Sequence, residues 1–264
     1  MTGLFDYSHA IVRTPGASVI GGLRDGGGPD PDLAALMDEH AAYCMALSSL
    51  GVAVSILPPL EAFPDSVFVE DVALVFGKGA VRLRPGAPSR AGEVDHIGAA
   101  LAPHFDRVLS LEGPGHADGG DILTLTDRVI IGLSARTDRA GAEALVGLLA
   151  ALGLKGEITD TPKGVLHFKT GCSLLDEETV FVVPALAECA AFAGLRKILT
   201  PPGEEAAANL LRVHDRILMG AHFPQSLELV ARYGIEPLPL PVTHIGRVDA
   251  GLSCMSLRWA APRG

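Results

Sequence analysis

The chain has 264 residues, of which 48% are apolar, 20% charged and 5% aromatic, the composition of an ordinary folded protein and not of a disordered one. Its 31 acidic residues outnumber 21 basic ones, for a formal net charge of -10, which argues against nucleic acid and anionic membrane surfaces as partners and favours attraction of a small cation. The opening Met1-Thr2-Gly3-Leu4-Phe5-Asp6-Tyr7 turns polar at once and no apolar run reaches membrane-spanning length, so a cytoplasmic protein is expected. Cys44, Cys172, Cys189 and Cys254 lie far apart with no CxxC pair, which suggests neither a disulfide framework nor a zinc site.

A short strand from Ser8 leads into a loop rich in glycine, with Gly21, Gly22 and Gly26 to Gly28, that runs to Pro31. Asp30 then reads as the N-cap of a helix with Pro31 in its first turn. Leu33, Leu36, Met37, Ala41, Cys44, Leu47 and Leu50 form its apolar stripe, and Gly51 ends it. Cys44 is therefore a core residue. Val52 to Leu57 is a strand.

From here the sequence repeats a loose unit: a leading polar residue, an apolar strand, a turn, a second apolar strand and a helix. The units start at Asp71, Asp121, Cys172 and Asn209, with helices near 89–101, 138–152, 185–194 and 224–234. A fifth unit starts at Cys254 and lacks its second half, which the N-terminal strand and first helix can supply by closing a ring. The leading positions fall 37 to 51 residues apart, a period that points to a closed array. A ring would gather Asp71, Asp121, Cys172, Asn209 and Cys254 around one axis, whereas five ordinary ββα units would have no shared centre.

Three clusters bear on chemistry. Asp65, Glu70 and Asp71 fall within seven residues, and strand alternation would put Asp65 and Asp71 on one face and Glu70 on the other. The bland alternative is a solvated turn. Asp118-Gly119-Gly120-Asp121 lets backbone come close to a ligand, and His167 stands on an alternating, strand-like stretch from Gly164 to Gly171. A lone histidine there is usually a hydrogen-bonded core residue. Cys254, between small residues after a glycine, is either a buried structural cysteine or a reachable nucleophile; a thiol, a histidine and a carboxylate together favour the second.

Phe68-Val69-Glu70-Asp71, Arg84-Pro85-Gly86-Ala87-Pro88-Ser89-Arg90, Asp118-Gly119-Gly120-Asp121, Gly132-Leu133-Ser134-Ala135-Arg136-Thr137, Leu166-His167-Phe168-Lys169 and Leu252-Ser253-Cys254-Met255-Ser256 resemble, in content and order, the motifs of the dimethylarginine dimethylaminohydrolases. These belong to the guanidine-modifying superfamily. The resemblance implies one catalytic domain over residues 1–264, an α/β five-bladed propeller of ββαβ repeats, the pentein fold. It implies Cys254 as nucleophile, His167 as general acid/base and Asp118 as the carboxylate that orients His167. Asp71 would grip the guanidinium with Glu70 nearby, Asp65 would help hold the α-amino end, and Arg90 and Arg136 would clamp the α-carboxylate. Backbone carbonyls of Leu23 and Val248 would complete the pocket, which makes the glycine-rich loop a lid. Cys172, His116 and His244 receive no role.

The implied reaction converts methylated arginine to citrulline and a methylamine through a thiouronium on Cys254, with no metal or organic cofactor. Related enzymes with the same set act on arginine, agmatine or a transferable amidino group, so an arginine deiminase is the enzymatic alternative and an arginine-binding propeller without turnover the non-enzymatic one. Monomer and homodimer both stay open.

Overall fold

The computed structural model describes residues 3–24 and 28–261; Gly26 and Gly27 of the loop lie outside them. The chain opens with β1 (His9–Arg13), a 3-10 turn (Ala17–Gly21), α1 (Leu33–Ser49) and β2 (Ala53–Leu57). One pattern then recurs four times: β3 (Ala73–Phe76), β4 (Gly79–Arg82), α2 (Glu93–Leu101) and β5 (Val108–Ser110); β6 (Ile122–Thr124), β7 (Val129–Leu133), α3 (Arg139–Ala151) and β8 (Gly156–Asp160); β9 (Cys172–Asp176), β10 (Thr179–Val182) and β11 (Arg196–Leu199); β12 (Leu211–Val213), β13 (Arg216–Gly220), α4 (Pro224–Arg232) and β14 (Glu236–Leu240). A one-turn helix, α5 (Thr243–Gly246), and β15 (Ser256–Trp259) follow.

Among the described residues the strands form five three-stranded sheets. In each repeat the first strand is antiparallel to the second, across a tight turn, and the third returns parallel to the second. A parallel return needs a crossover, which explains why a helix, or in the third repeat a pair of 3-10 turns, separates second and third strands. The fifth sheet has the order β15-β1-β2, with β15 antiparallel to β1 and β1 parallel to β2. The chain ends therefore complete one blade between them, as the truncated fifth repeat predicts, and the fold is a five-bladed α/β propeller.

Hydrophobic cores lie between blades and not within them. One joins β1 and β15 to β3, β4 and α2, another joins β4 to β6, β7 and α3, and the remaining three bridge the other neighbouring pairs. Each blade buries its two faces against different neighbours, so no blade has a complete core alone.

Three local readings need correction. Asp32, not Asp30, caps α1 and accepts the Ala35 N–H at 2.8 Å. The buried stripe of α1 includes Leu36, Glu39, His40, Tyr43, Cys44 and Leu47, while Met37 and Ala41 are exposed. Counting apolar residues alone misses Glu39, whose carboxylate accepts the N–H groups of His244 and Ile245 at the start of α5. Finally, 185–194 forms two 3-10 turns, Pro184–Leu186 and Ala190–Phe192, and no α-helix. Leu186 and Phe192 both reach the core, and six residues apart they would sit on different sides of an α-helix.

Trp259 holds the ring shut. It is 4% exposed, stacks on His9 at 5.4 Å and packs against His104 and Phe105 at 5.0 Å each. Trp259→Ala is expected to cost about 3–5 kcal/mol of stability in urea unfolding; a loss under about 1 kcal/mol would show that blade closure does not rest on this contact.

Candidate active site

The side chains that meet in the cleft come from short 3-10 turns just ahead of the inner strands. Val69–Val72 precedes β3, Gly119–Asp121 precedes β6, Phe168–Thr170 precedes β9 and Ser253–Met255 precedes β15. Leu23, Arg24, Asp65, Phe68, Asp71, Arg90, Asp118, Arg136, Leu166, His167, Val248 and Cys254 are among the residues that line a narrow cleft of about 40 Å³. A much larger cavity, about 690 Å³, runs along the inner strands themselves. The thiol and histidine are in the small one.

Asp71 is fixed from two sides. Its Oδ1 accepts the Gly120 N–H at 2.9 Å and its Oδ2 accepts Arg90 Nη1 at 2.5 Å. Burial alone would push its carboxyl up, but the Arg90 guanidinium, with His167 and these hydrogen bonds, holds it below the usual carboxylate range. Position 120 must be glycine for steric reasons: a Cβ there would come within 2.8 Å of the His167 ring and 2.9 Å of Asp71. The close approach that the glycines permit here is of the Gly120 backbone to the side chains of His167 and Asp71.

Asp118, 1% exposed, accepts the Gly86 N–H at 2.7 Å with Oδ1 and faces His167 Nε2 with Oδ2 at 3.3 Å. His167 is not on a strand; it caps the Phe168–Thr170 turn, where its own N–H donates to Thr170 Oγ1 at 3.3 Å. Burial would lower the imidazole's pKa, but the Asp118 hydrogen bond and the charges of Asp71, Asp121 and Asp118 raise it to about 9. At neutral pH the ring is an imidazolium.

Cys254 is half-buried and lines the cleft. Burial, then the negative charges of Glu70 and Asp71, push the thiol up to about 11, against the smaller opposing effect of hydrogen bonds from the Gly251 backbone and from Asn209. Asn209 is the residue that motif reasoning left without a role. Its Nδ2 lies 3.5 Å from Sγ and its Oδ1 accepts the Ser253 N–H at 3.2 Å. Gly251 makes room for it, since a Cβ would fall 2.2 Å from the Asn209 carboxamide.

The other predicted residues divide. Asp65 Oδ1 accepts the Leu23 N–H at 2.9 Å, which ties the glycine-rich loop to the cleft. Leu23, Val248 and Arg136 are on the wall. Glu70 is not: its carboxylate turns away to Lys169 at 2.5 Å, Arg258 at 3.1 Å and Ser253 Oγ at 3.0 Å, beside the larger cavity. Asp65 to Asp71 form turns and no strand, and successive residues of a 3-10 turn point about 120° apart, which separates Glu70 from Asp71. Arg90 borders the cleft at 4% exposure, but its N–H groups go to Asp71, to both Glu93 oxygens and to the carbonyls of Asp65 and Phe68.

Asp121 and Cys172, expected at the axis, are fully buried elsewhere. Asp121 accepts Ser134 Oγ, Thr137 Oγ1 and the Phe168 N–H, so it braces the turn that carries His167. Cys172 already belongs to β9 and points its thiol at the Phe168 carbonyl. His116 pairs with Asp138, and His244 accepts the Asp32 N–H. One ligand atom each from Asp71, Asp118 and His167 lie within 4.8 Å of one another, a cluster that attracts a cation.

The arginine deiminase family profile matches residues 34–210. The N(G),N(G)-dimethylarginine dimethylaminohydrolase of Pseudomonas aeruginosa is 37% identical over 254 residues, 96% of this chain and 100% of that protein. The enzyme of the same name from Streptomyces coelicolor is 31% identical, over 94% of this chain and 96% of its own. Among solved structures, a cysteine-to-serine mutant of the P. aeruginosa enzyme complexed with citrulline superposes with TM-score 0.93 at 36% identity, over 96% of this chain and 100% of that one. A histidine-to-glycine variant carrying an S-methyl-L-thiocitrulline adduct gives 0.92 at 37%, over 96% and 99%. The N-terminal domain of the cyanobacterial arginine dihydrolase ArgZ, 17% identical with TM-score 0.84 over 97% and 100%, shares the fold.

The hydrogen bond to Asp118 is the largest of the effects that raise the His167 pKa, so replacing it has a definite sign. In Asp118→Asn the imidazole titration, followed by NMR, should fall from about 9 toward the ordinary value near 6.5. An unchanged titration would show that Asp118 does not set the charge on His167.

Proposed function

The chain belongs to the dimethylarginine dimethylaminohydrolase family, and from that premise we infer that it hydrolyses N-ω-methylated arginine to citrulline and a methylamine. The observation that carries this reading is the meeting of a thiol, an imidazolium and two fixed carboxylates in one narrow cleft. A guanidinium is planar, cationic and resonance-stabilised, so attack on its carbon requires that the plane be fixed beneath the nucleophile. Asp71, held by Arg90 and Gly120, supplies a fixed acceptor for the guanidinium N–H groups.

In this reading the free thiol is protonated at neutral pH and His167, already charged, cannot take its proton. The bound cation does the activating. A unit positive charge about 4 Å from the sulfur, at an effective dielectric near 20, is worth about 4 kcal/mol, or about three pKa units. That is enough to bring a thiol at about 11 close to physiological pH, and the proton leaves to solvent. The thiolate adds to the guanidinium carbon, the C–N bond to the methylated nitrogen breaks, and His167 gives that nitrogen its proton. A thiouronium remains on Cys254. Neutral His167 then takes a proton from water, the hydroxide adds to the same carbon, and as the adduct's hydroxyl proton passes to solvent the C–S bond breaks to release citrulline and thiolate.

Asp118 orients His167, Asp65 holds the Leu23 loop and the substrate's amino end, and the Leu23 and Val248 carbonyls face the ligand. The acidic surface and small diffusible substrate fit a cytoplasmic enzyme; recovery in an envelope fraction would count against that placement.

Citrulline release from asymmetric dimethylarginine and from plain arginine, with wild type and Cys254→Ser, tests the reading. Turnover of the methylated substrate alone, lost at least 1000-fold in the mutant as for removal of a nucleophile, is the expected result. Ammonia release from plain arginine at comparable rate would make it a deiminase, and turnover of neither would leave a binding protein.

A further inference from the structure

The leading residue of the fourth repeat, Asn209, is brought by the ring against the nucleophile, 45 residues along the chain. It closes the 3-10 turn Glu205–Ala208 ahead of β12, and its half-buried side chain lies across the turn that carries Cys254. Oδ1 accepts the Ser253 N–H at 3.2 Å and Nδ2 lies 3.5 Å from Cys254 Sγ. This fixes the orientation of the carboxamide. Reversed, it would set its NH2 against the Ser253 N–H and its oxygen against the sulfur.

Packing holds the group in the same place. A Cβ on Gly251 would fall 2.2 Å from Asn209 Cγ and 2.6 Å from its Nδ2, so the carboxamide rests on bare backbone. That backbone also hydrogen-bonds the thiol, and its carbonyl accepts the Cys254 N–H at 3.3 Å. Ser253 is tied down independently, by its Oγ to Glu70 at 3.0 Å and by its carbonyl to Arg258 at 2.9 Å. The turn therefore has anchors besides Asn209. What the carboxamide adds to them is a side-chain N–H on the sulfur.

A donor aimed at an atom where charge develops stabilises that charge without reorganising, and a hydrogen bond to an ionised partner is stronger than one to a neutral partner. The Cys254 sulfur becomes negative twice in each turnover, when its proton leaves and when the C–S bond breaks. Glu70 and Asp71 oppose that charge, and the His167 imidazolium lines the same cleft. We propose that Asn209 is a catalytic residue whose carboxamide N–H stabilises the Cys254 thiolate at both steps. The bond is weak on the resting thiol and tightens on the thiolate, so it favours the reacting state over the ground state. A bound cation offsets the field of the carboxylates, and Asn209 holds the sulfur from the side of its own turn.

The role at the C–S step rests on the hydrolase reading and the effect on the thiolate does not, so two readouts separate them. With the cleft saturated by acetamidinium, the thiolate is titrated by its ultraviolet absorbance, taken as the difference from Cys254→Ser. Asn209→Ala should raise the inflection by about one pH unit, a tenfold loss of thiolate. With asymmetric dimethylarginine as substrate it should lower kcat about 10-fold or more, the worth of a hydrogen bond to a charged group, and leave KM within about 3-fold of wild type. Asn209→Asp keeps an acceptor for the Ser253 N–H but turns an oxygen to the sulfur, so its kcat should be no higher than that of Asn209→Ala. An inflection that Asn209→Ala leaves unmoved, or wild-type kcat in Asn209→Asp, would reduce Asn209 to a brace for the turn and overturn the proposal. A wild type that turns over neither methylated nor plain arginine would remove the hydrolase reading, and the titration would still decide whether Asn209 holds the thiolate.

Discussion

A carboxylate inside a protein keeps its charge only where cations and N–H groups hold it there, and the cleft is built around one such group. Asp71 is 4% exposed and is gripped by Arg90 on one oxygen and the Gly120 N–H on the other. Arg90 in turn is held by Glu93 and by two carbonyls of the Asp65–Phe68 segment. This brace links the turn before β3 to the loop before α2, and through Gly120 to the turn before β6. Removing one partner of such a pair leaves an uncompensated buried charge, worth about 3–5 kcal/mol.

The same charge contributes to the chemistry. Burial and the charges of Glu70 and Asp71 raise Cys254, the Asp118 hydrogen bond and the charge of Asp71 raise His167, and together they place the free enzyme in the thiol and imidazolium state. An imidazolium is the form that can protonate a departing amine, and a protonated thiol is protected from oxidation and alkylation until needed. In the proposed reading the thiolate forms when a bound cation offsets the field of Glu70 and Asp71. Specificity for cationic substrates and activation of the nucleophile are therefore one electrostatic event.

The repeats were legible because strand, turn and strand alternate locally, and the missing half of the fifth unit showed where the ring must close. The site was less so. The repeat pattern named the leading polar residue of each inner strand, and of these Asp71 and Cys254 reach the cleft, while Asp121, though in a 3-10 turn like Asp71, is turned to Ser134, Thr137 and Phe168 as a buried brace and Cys172 is core. His167 and Asp118 came from motif resemblance, since nothing in periodicity distinguishes them. What a side chain's charge is spent on could not be read at all. Arg90 and Arg136 look alike in sequence and both border the cleft, yet Arg90 is saturated by Asp71 and Glu93. Glu70 and Asp71 are neighbours that point to different cavities. Apart from the Arg90–Glu93 pair, three residues apart, these outcomes depend on contacts 19 to 188 residues apart in the chain, beyond the reach of local pattern.

The claim that a bound cation, and not His167, activates the nucleophile is tested most directly by titrating the Cys254 thiolate. Its absorbance near 240 nm, taken as wild type minus Cys254→Ser, should rise with an inflection at about 11 in the free protein. With the cleft saturated by acetamidinium, a small planar cation, the inflection should fall by about two to three units. An inflection at or below the ordinary thiol value of about 8.5 in the free protein, or one that acetamidinium leaves unmoved, would contradict the account.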